Sequence, residues 1–468
     1  MKIGFSTKPI TPQGMVSLGG SSFEKLTDQV RDPISVTAMA LEGDGGSEQA
    51  VLVSCDLLSM PDAIRDQVIE LVRRNVPGLN PEMVVLLPSH SHNIPLTGDP
   101  YWVRLGFERS PSAALSPESF VEMLVSQIAS AVEEAWQSRT TGALSWEQSY
   151  AVLGHNRRVL YDDGKAKMFG SVHTPHFRRL DGPVDHRVEL LFTWDEERKL
   201  RGVLYNVACT SQFLAGSVIS ADLFGEVRKQ VAEKWGPDIF VLGMLGAAGD
   251  LHPRDVLHMH SHEYDADAEL SKAVKRLIGA VGDALEVAKE RIDPEPVFKH
   301  RVRELSVPLR GVTRSEAEQA ETAWKQFQEW LPRQEDRKAA FQSFLQFSFD
   351  AKFDLLNHLA IATRAERMRT DPFFRMKLHS LRIGDTAIVT NPFELFAEYG
   401  LQIKARSKAK QTFVSQLTSG WGGYLPTDEA ISSGGYSTRI HSGFVGEEGG
   451  RLLVEHTVQA IAELWVEQ

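Results

Sequence analysis

The stretch SHSHN (residues 89–93) places two imidazoles two residues apart, directly behind the apolar run MVVLLP (83–88). In extended backbone, residues i and i+2 share a face, so His90 and His92 can point together. Neutral imidazole is the commonest zinc ligand, and the same ring works as an acid or a base near neutral pH. Two histidines at this spacing are also compatible with rings that cap loop backbone. Comparable groups follow other apolar runs: Asp56 after AVLVSC, Asp250 and His252 in GDLHP, Glu394 in NPFEL, and Tyr424 and Tyr436 in the glycine-rich loops GGYLPT and GGYST. Each carboxylate alone reads equally as a helix cap or a solvated turn. Several polar and titratable groups brought to one rim are the pattern of an active site.

The elements that must position these groups read as α/β. AVLVSCD (50–56) is an apolar strand. PDAIRDQVIELVRR (61–74) is a helix with Pro61 at its start and a stripe of Ile64, Val68, Leu71 and Val72. MVVLLP is the next strand, so the three form a βαβ unit with parallel strands. Asp56 and His90 then share one edge of the sheet, where open α/β sheets place ligands. A second unit follows the same plan. Residues 188–209 read as a hairpin turning at 195–199. Residues 221–236 read as a helix with Leu223, Val227, Val231 and Trp235 on one face and Gly236 as its stop. FVLGML then leads to Asp250 and His252, while Cys209 and Thr210 end the earlier strand. Residues 116–137 and 267–292 read as amphipathic helices. Residues 315–370 read as a helical insertion, either a lid or a packed pair with no further role. The remaining hundred residues return to strands and glycine-rich loops. No repeat or linker is visible in the sequence, which predicts one composite domain over 1–468 with a mixed, largely βαβ-built sheet core and flanking helices.

Composition narrows the function. The net charge of −11 over 468 residues argues against nucleic acid and anionic membranes as partners. The two cysteines, Cys55 and Cys209, give no disulfide framework and fit a reducing compartment. No run of about 18 apolar residues is present, so no membrane span is expected. The opening MKIGFSTKPITPQG lacks the apolar core of a signal peptide. These features predict a cytoplasmic protein whose partner is a small molecule; they leave the oligomeric state open.

The order of short motifs resembles the catalytic region of the neutral ceramidases, a family of zinc-dependent amidases. GFSTKPITP looks like the family's opening strand with Ile-Thr-Pro, and RDPISVTAMALE and LVSCDLL like the next two segments. SHSHNIP is similar to its Thr-His-Thr-His-Ser-Gly-Pro and HNRR to its Asn-Arg element. VLYNVACTSQ and ISADLFGEVRK resemble Asn-Phe-Ala-x-His-Pro-Thr and Ser-Ala-Asp-Tyr-x-Gly. GAAGDLHP, NPFELFAEYG, GGYLPT and GGYST complete the series. The resemblance implies zinc held by His90, Glu394 and Tyr436, with His92 and Arg157 engaging the substrate or its oxyanion.

Two positions depart from the family. Thr210 stands where its second zinc histidine belongs, and His252 stands where its catalysis-associated serine belongs. The ceramidases also carry a further C-terminal β-domain, for which little chain follows Tyr436. Threonine is a poor zinc ligand beside imidazole, so a replacement is expected from His252, His92 or the Cys209 thiolate, with His252 preferred. Otherwise the site takes a harder, oxygen-rich coordination or holds no metal.

The reading that follows is a metal-dependent hydrolase of an amide or ester bond. His90, Glu394, Tyr436 and His252 hold the metal, and His92, Arg157, Asp250 and His252 carry the chemistry. The His- and Arg-rich loops 160–179 and 252–265 favour a small polar or carbohydrate-derived substrate over ceramide, although they also read as solvated loops. The alternatives are isomerisation, epimerisation or elimination on a carbohydrate-like substrate at the same site, and a non-catalytic ligand-binding homologue.

Overall fold

The computed structural model describes residues 1–20, 25–99, 103, 114–259, 263–330 and 349–466. Three mixed sheets share one strand plan. The first contains β1 (Lys2–Pro9), β2 (Ser35–Glu42), β3 (Gln49–Cys55) and β4 (Val84–Pro88). β1, β2 and β3 pair antiparallel, and β4 lies parallel to β3 after helix α1 (Asp62–Asn75). Helix α2 (Pro117–Gln137) follows, its first turn capped by the Ser116 hydroxyl.

The second sheet repeats this order. β5 (Ala143–Tyr150), β6 (Arg187–Trp194) and β7 (Leu200–Val207) are antiparallel. Helix α3 (Asp222–Trp235) then leads to β8 (Phe240–Leu245), parallel to β7, and α4 (Ala266–Ala288) follows. In the third sheet β9 (Phe298–Pro308) is separated from β10 (Phe373–Ile383) by the inserted helices α5 (Arg314–Trp330) and α6 (Phe349–Thr370). β11 (Thr386–Thr390), α7 (Ala397–Arg406), the parallel β12 (Gln411–Ser415) and α8 (Glu447–Leu464) complete it.

The chain thus runs three times through three antiparallel strands, a helix, a parallel strand and a helix. The repeat is one of topology. It is absent from the residue pattern because equivalent positions carry different side chains.

Both expected βαβ units are present, and their apolar stripes are buried. Ile64, Val68 and Val72 face the first sheet, and Leu223, Val227 and Val231 the second. The helix α3 ends at Gly236, whose φ of 122° is open only to glycine at low cost. Met39, Leu52, Leu242, Phe413 and Ile388 are at most 1% exposed and form one core to which all three sheets contribute. The helices cover the opposite faces. Among the described residues, no helix is long and apolar enough to cross a membrane.

This plan positions the site. In each sheet the first strand is parallel to the third and fourth. The first connection and both parallel strand ends therefore leave by the same edge. That edge delivers Gly20, His90 and His92 from the first unit and Arg157, Thr210 and Asp250 from the second. The third delivers Glu394, Tyr424 and Tyr436. The inserted helices are the first connection of the third unit. Residues 331–348, in the middle of that insertion, and His260, Ser261 and His262 of the His-rich loop lie outside the described residues.

Candidate active site

His90 is held in a left-handed conformation with φ of 59°, a state that a non-glycine residue keeps only when its surroundings fix it. The end of β3 does so. Ser89 N–H donates to Cys55 O (2.9 Å) and His90 N–H to Leu57 O (2.8 Å). The ring Nδ1 lies 2.7 Å from Leu58 O, so it carries the proton and leaves Nε2 as a lone pair. That lone pair faces Glu394 Oε2 at 3.6 Å, with both side chains buried. Glu394 sits opposite Tyr424 in the short parallel pairing of Glu394–Leu395 with Tyr424–Leu425. Gly249 is required behind it, because a Cβ there would lie 2.3 Å from Glu394 O.

Arg157 faces the same carboxylate. Its Nη2 donates to Gly249 O and to the Tyr424 hydroxyl, both at 2.9 Å. Its Nε is buried and has no partner among the described residues. Burial alone would lower its pKa, but Tyr424, Glu394 and Tyr436 raise it. Burial pushes the Tyr424 phenol well above its ordinary range. Glu394, which shares its hydroxyl, adds to that rise against the pull of Arg157. Tyr424 is therefore a neutral donor. The Tyr436 ring packs edge-on against Tyr424 with centroids 5.9 Å apart.

The other histidines have different partners. His92 Nδ1 lies 2.9 Å from Gly20 O, and its Nε2 lies 2.7 Å from the Gln212 side-chain nitrogen. Gly20, at φ of 70°, must be glycine, since a Cβ would fall 2.3 Å from His92 Nδ1. Burial, then the nearby His90, depresses the His92 pKa to about 3, so the ring is neutral with both nitrogens engaged. His252 Nδ1 accepts from Arg254 N–H at 3.0 Å, which leaves the proton on Nε2. Burial, then Arg157, holds its pKa well below the usual histidine range.

Asp250 stands behind the site. One oxygen accepts from Asn156 Nδ2 and the other from Ala397 N–H, both at 2.8 Å. Burial pushes its pKa up to about 6. Asp56 lies away from the site, in an ion pair with Arg228 of α3. The Cys209 thiol is buried, and that burial, with Asp222 beside it, raises its pKa. Thr210 Oγ1 is buried without a partner among the described residues.

Two residues escaped the sequence reading. Gln212 lies within reach of the site through His92. Asp222, at φ of 51°, accepts from Phe213, Leu214 and Leu223 N–H and so shapes the 210–214 loop. A lone glutamine carries no motif. Asp222 reads as an ordinary helix-start aspartate until its tertiary partners are known.

His90 Nε2 and Glu394 fit two positions around a divalent cation. They are two acceptors 3.6 Å apart, and the imidazole is oriented through its other nitrogen. Among the described residues, no group of three His, Cys, Asp or Glu side chains is disposed to hold a metal. His252 therefore does not form such a group with this pair, and further protein donors would come from outside these four residue types, as from the Tyr436 hydroxyl or an amide or backbone oxygen.

No family model and no curated protein matches the sequence. Among solved structures, the neutral ceramidase of Pseudomonas aeruginosa aligns with 100% of this chain and 75% of its own, at a TM-score of 0.71 and 16% identity. A ceramidase complexed with C2 aligns with 99% of this chain and 75% of its own, at a TM-score of 0.69 and 13% identity. The architecture expected from the motif order is therefore present: the chain has a neutral-ceramidase-like fold, shared at an identity where fold rather than activity is what the likeness establishes.

Proposed function

We propose that the protein is a hydrolase of an amide or ester bond in a small polar substrate, with carbohydrate derivatives among the candidates. We further propose a divalent metal, zinc in the first instance, held by His90 and Glu394 with Tyr436 as a third donor. One observation carries this reading. A histidine lone pair and a carboxylate face each other at 3.6 Å in a buried setting, an arrangement that calls for a cation or a proton between them. The chemistry supplied by a divalent cation at this position is Lewis acidity toward a carbonyl oxygen and toward water.

The chain's own groups then divide the work. Arg157 is anchored by Gly249 and Tyr424 and holds a cation beside Glu394, where it would offset charge that develops on a substrate oxygen. Tyr424 keeps its proton and orients Glu394. His252 offers an N–H at Nε2 as a second donor to that charge. His92 fixes Gln212, and any part in proton transfer requires Gln212 to release Nε2 first. Asp250 holds the Arg157 and Glu394 segments together through Asn156 and Ala397.

Elemental analysis of the purified protein, with a chelation-sensitive screen of amides and esters, tests this. About one zinc per chain, lost in His90→Ala, together with acid released from a substrate, is the expected result. An empty wild-type site after zinc incubation, or conversion of a substrate to a product of equal mass, would overturn it.

A further inference from the structure

The helical insertion forms a pocket that the candidate site does not use. Helix α6 lies against residues 439–444, just beyond Tyr436. Asn357 accepts the His441 N–H at 3.2 Å, and Asp354 pairs with Arg439 at 2.9 Å. Between helix and segment is a cavity of 310 Å³, at the lower end of the range of about 300–1,000 Å³ typical of small-molecule sites. Its wall is apolar: Leu356, Leu359 and Ala360 from α6, Ile440 and Phe444 from the segment, and Trp421 from the loop before Tyr424. The Trp421 and Phe444 rings meet edge-on with centroids 6.1 Å apart.

Two arginines, one helical turn apart, line the same pocket. The guanidinium carbons of Arg364 and Arg367 lie 5.1 and 5.8 Å from the Phe444 ring centre. Arg364 is only 5% exposed. Its Nη atoms donate to the carbonyls of Phe444 (2.8 Å) and Gly443 (2.9 Å). Among the described residues, no carboxylate offsets its charge. Burial, then the like charges of Arg367 and Arg310, lower its pKa to about 10. A buried cation without a counter-charge is unfavourable. Carbonyl dipoles offset part of that cost; an anion would offset more, and guanidinium forks match a carboxylate in two-point geometry. The aromatic and aliphatic wall selects a compact apolar body for the same ligand.

We propose that this pocket binds a compact aryl carboxylate, its ring against Trp421, Phe444 and Leu359 and its carboxylate on Arg364 and Arg367. The site is distinct from the His90–Glu394 centre and does not depend on what reaction occurs there. The two adjoin, because Ser442 Oγ donates to Tyr436 O at 2.6 Å and the His441 ring packs edge-on against Tyr436 at 5.8 Å.

Calorimetric titration of the full chain with 4-phenylbutyrate, 4-phenylbutanol and 4-phenylbutylamine tests the proposal. The carboxylate is expected to bind at least about tenfold more tightly than the alcohol, the value of one good charged hydrogen bond, and the amine more weakly still. Ala360→Trp fills the pocket and should abolish binding. Arg367→Glu should weaken the carboxylate about tenfold or more and spare the alcohol. Arg367 is used because Arg364 is buried on the 443–444 backbone, whereas Arg367 makes one exposed backbone bond, to Phe373 O at 3.1 Å; the two variants cover each other should one fail to fold. Equal binding of acid and alcohol would overturn the role of the arginines. Wild-type affinity in a folded Ala360→Trp protein, or no binding of 4-phenylbutyrate to the wild type, would overturn the site.

Discussion

His90, His92 and His252 all spend Nδ1 on the backbone, and they differ in whether that nitrogen donates or accepts and in what their Nε2 meets. His90 gives Nδ1–H to Leu58 and keeps a lone pair for Glu394. His92 gives Nδ1–H to Gly20 and its lone pair to Gln212. His252 takes an N–H at Nδ1 and keeps a proton on Nε2. Arg157 is equally specific, since a single Nη2 joins Gly249 to Tyr424. Arg157→Lys keeps the charge but loses this fork, so turnover should fall about 10²–10³-fold, the usual effect of removing one donor to developing charge. Substrate affinity should change much less. Steady-state kinetics on the substrate found by the amide and ester screen decide it; a loss confined to KM would reassign Arg157 to ground-state binding. Tyr424→Phe removes the hydroxyl between Arg157 and Glu394 and should lower kcat by a smaller factor with the fold intact, checked by kinetics beside thermal melting. The rim of His90, Arg157 and Glu394 was legible because each follows a strand or a family motif. The states of the three rings were not, because Leu58, Gly20, Gln212 and Arg254 become neighbours only through the fold.

At the scale of elements, the site is a set of strand ends held by loops from other units. Asn93 Nδ2 donates to Val218 O at 3.0 Å and Ser91 Oγ to Ser220 O at 3.0 Å, which ties the His90 segment to the loop before α3. Asp222 organises that region from within. Its carboxylate satisfies two loop N–H groups and one at the start of α3. Asp222→Ala leaves all three without that acceptor in a buried place and should cost about 2–4 kcal/mol of stability. Urea denaturation measures this, and a variant within 0.5 kcal/mol of wild type would show that the loop is held by other contacts. The strands β3, β4, β6 to β8 and β10 to β12 and the helices α1 to α4 with their buried faces were legible from apolar runs and periodicity; β1 and β2 were carried by the motif order, and β5 and β9 were not read from the sequence. Asp56 was not. It follows a strand as a site carboxylate should, yet it serves Arg228, 172 residues away. The inserted helices left two readings open in sequence. Their contacts with residues 439–444 show that α6 buttresses the segment beginning at Tyr436.

For the whole molecule, the threefold topology means that stability depends on joints between the sheets as well as within them. One joint rests on two buried histidines. His300 of β9 gives Nδ1–H to Gln49 O of β3 at 2.8 Å, and its Nε2 accepts from His379 Nδ1 of β10 at 3.1 Å. The backbone N–H of His300 donates to Glu48, which also pairs with Arg301 at 2.8 Å. Burial depresses the His300 pKa to about 4, with Arg301 acting in the same direction against Gln49 and Glu48. Burial, then His300, Lys377 and Arg65, holds His379 well below its ordinary range. The unfolded chain therefore binds protons that the folded chain refuses from near pH 6.5 down to about 4, so stability rises with pH across that window and is lost as pH falls through it. Each histidine contributes a slope of up to about 1.4 kcal/mol per pH unit. Asp222 and Asp250, pushed up to about 6 by burial, act in the opposite sense below pH 6, so the total curve alone does not isolate the pair. The difference between wild type and His300→Gln/His379→Gln does, because both carboxylates remain in each protein. Whatever its absolute stability, the double variant should show a visibly shallower loss between pH 6.5 and 4 in urea unfolding. Parallel curves would mean that the joint tolerates protonation, and acid sensitivity would then arise at other buried histidines, among them His92, His252 and His155.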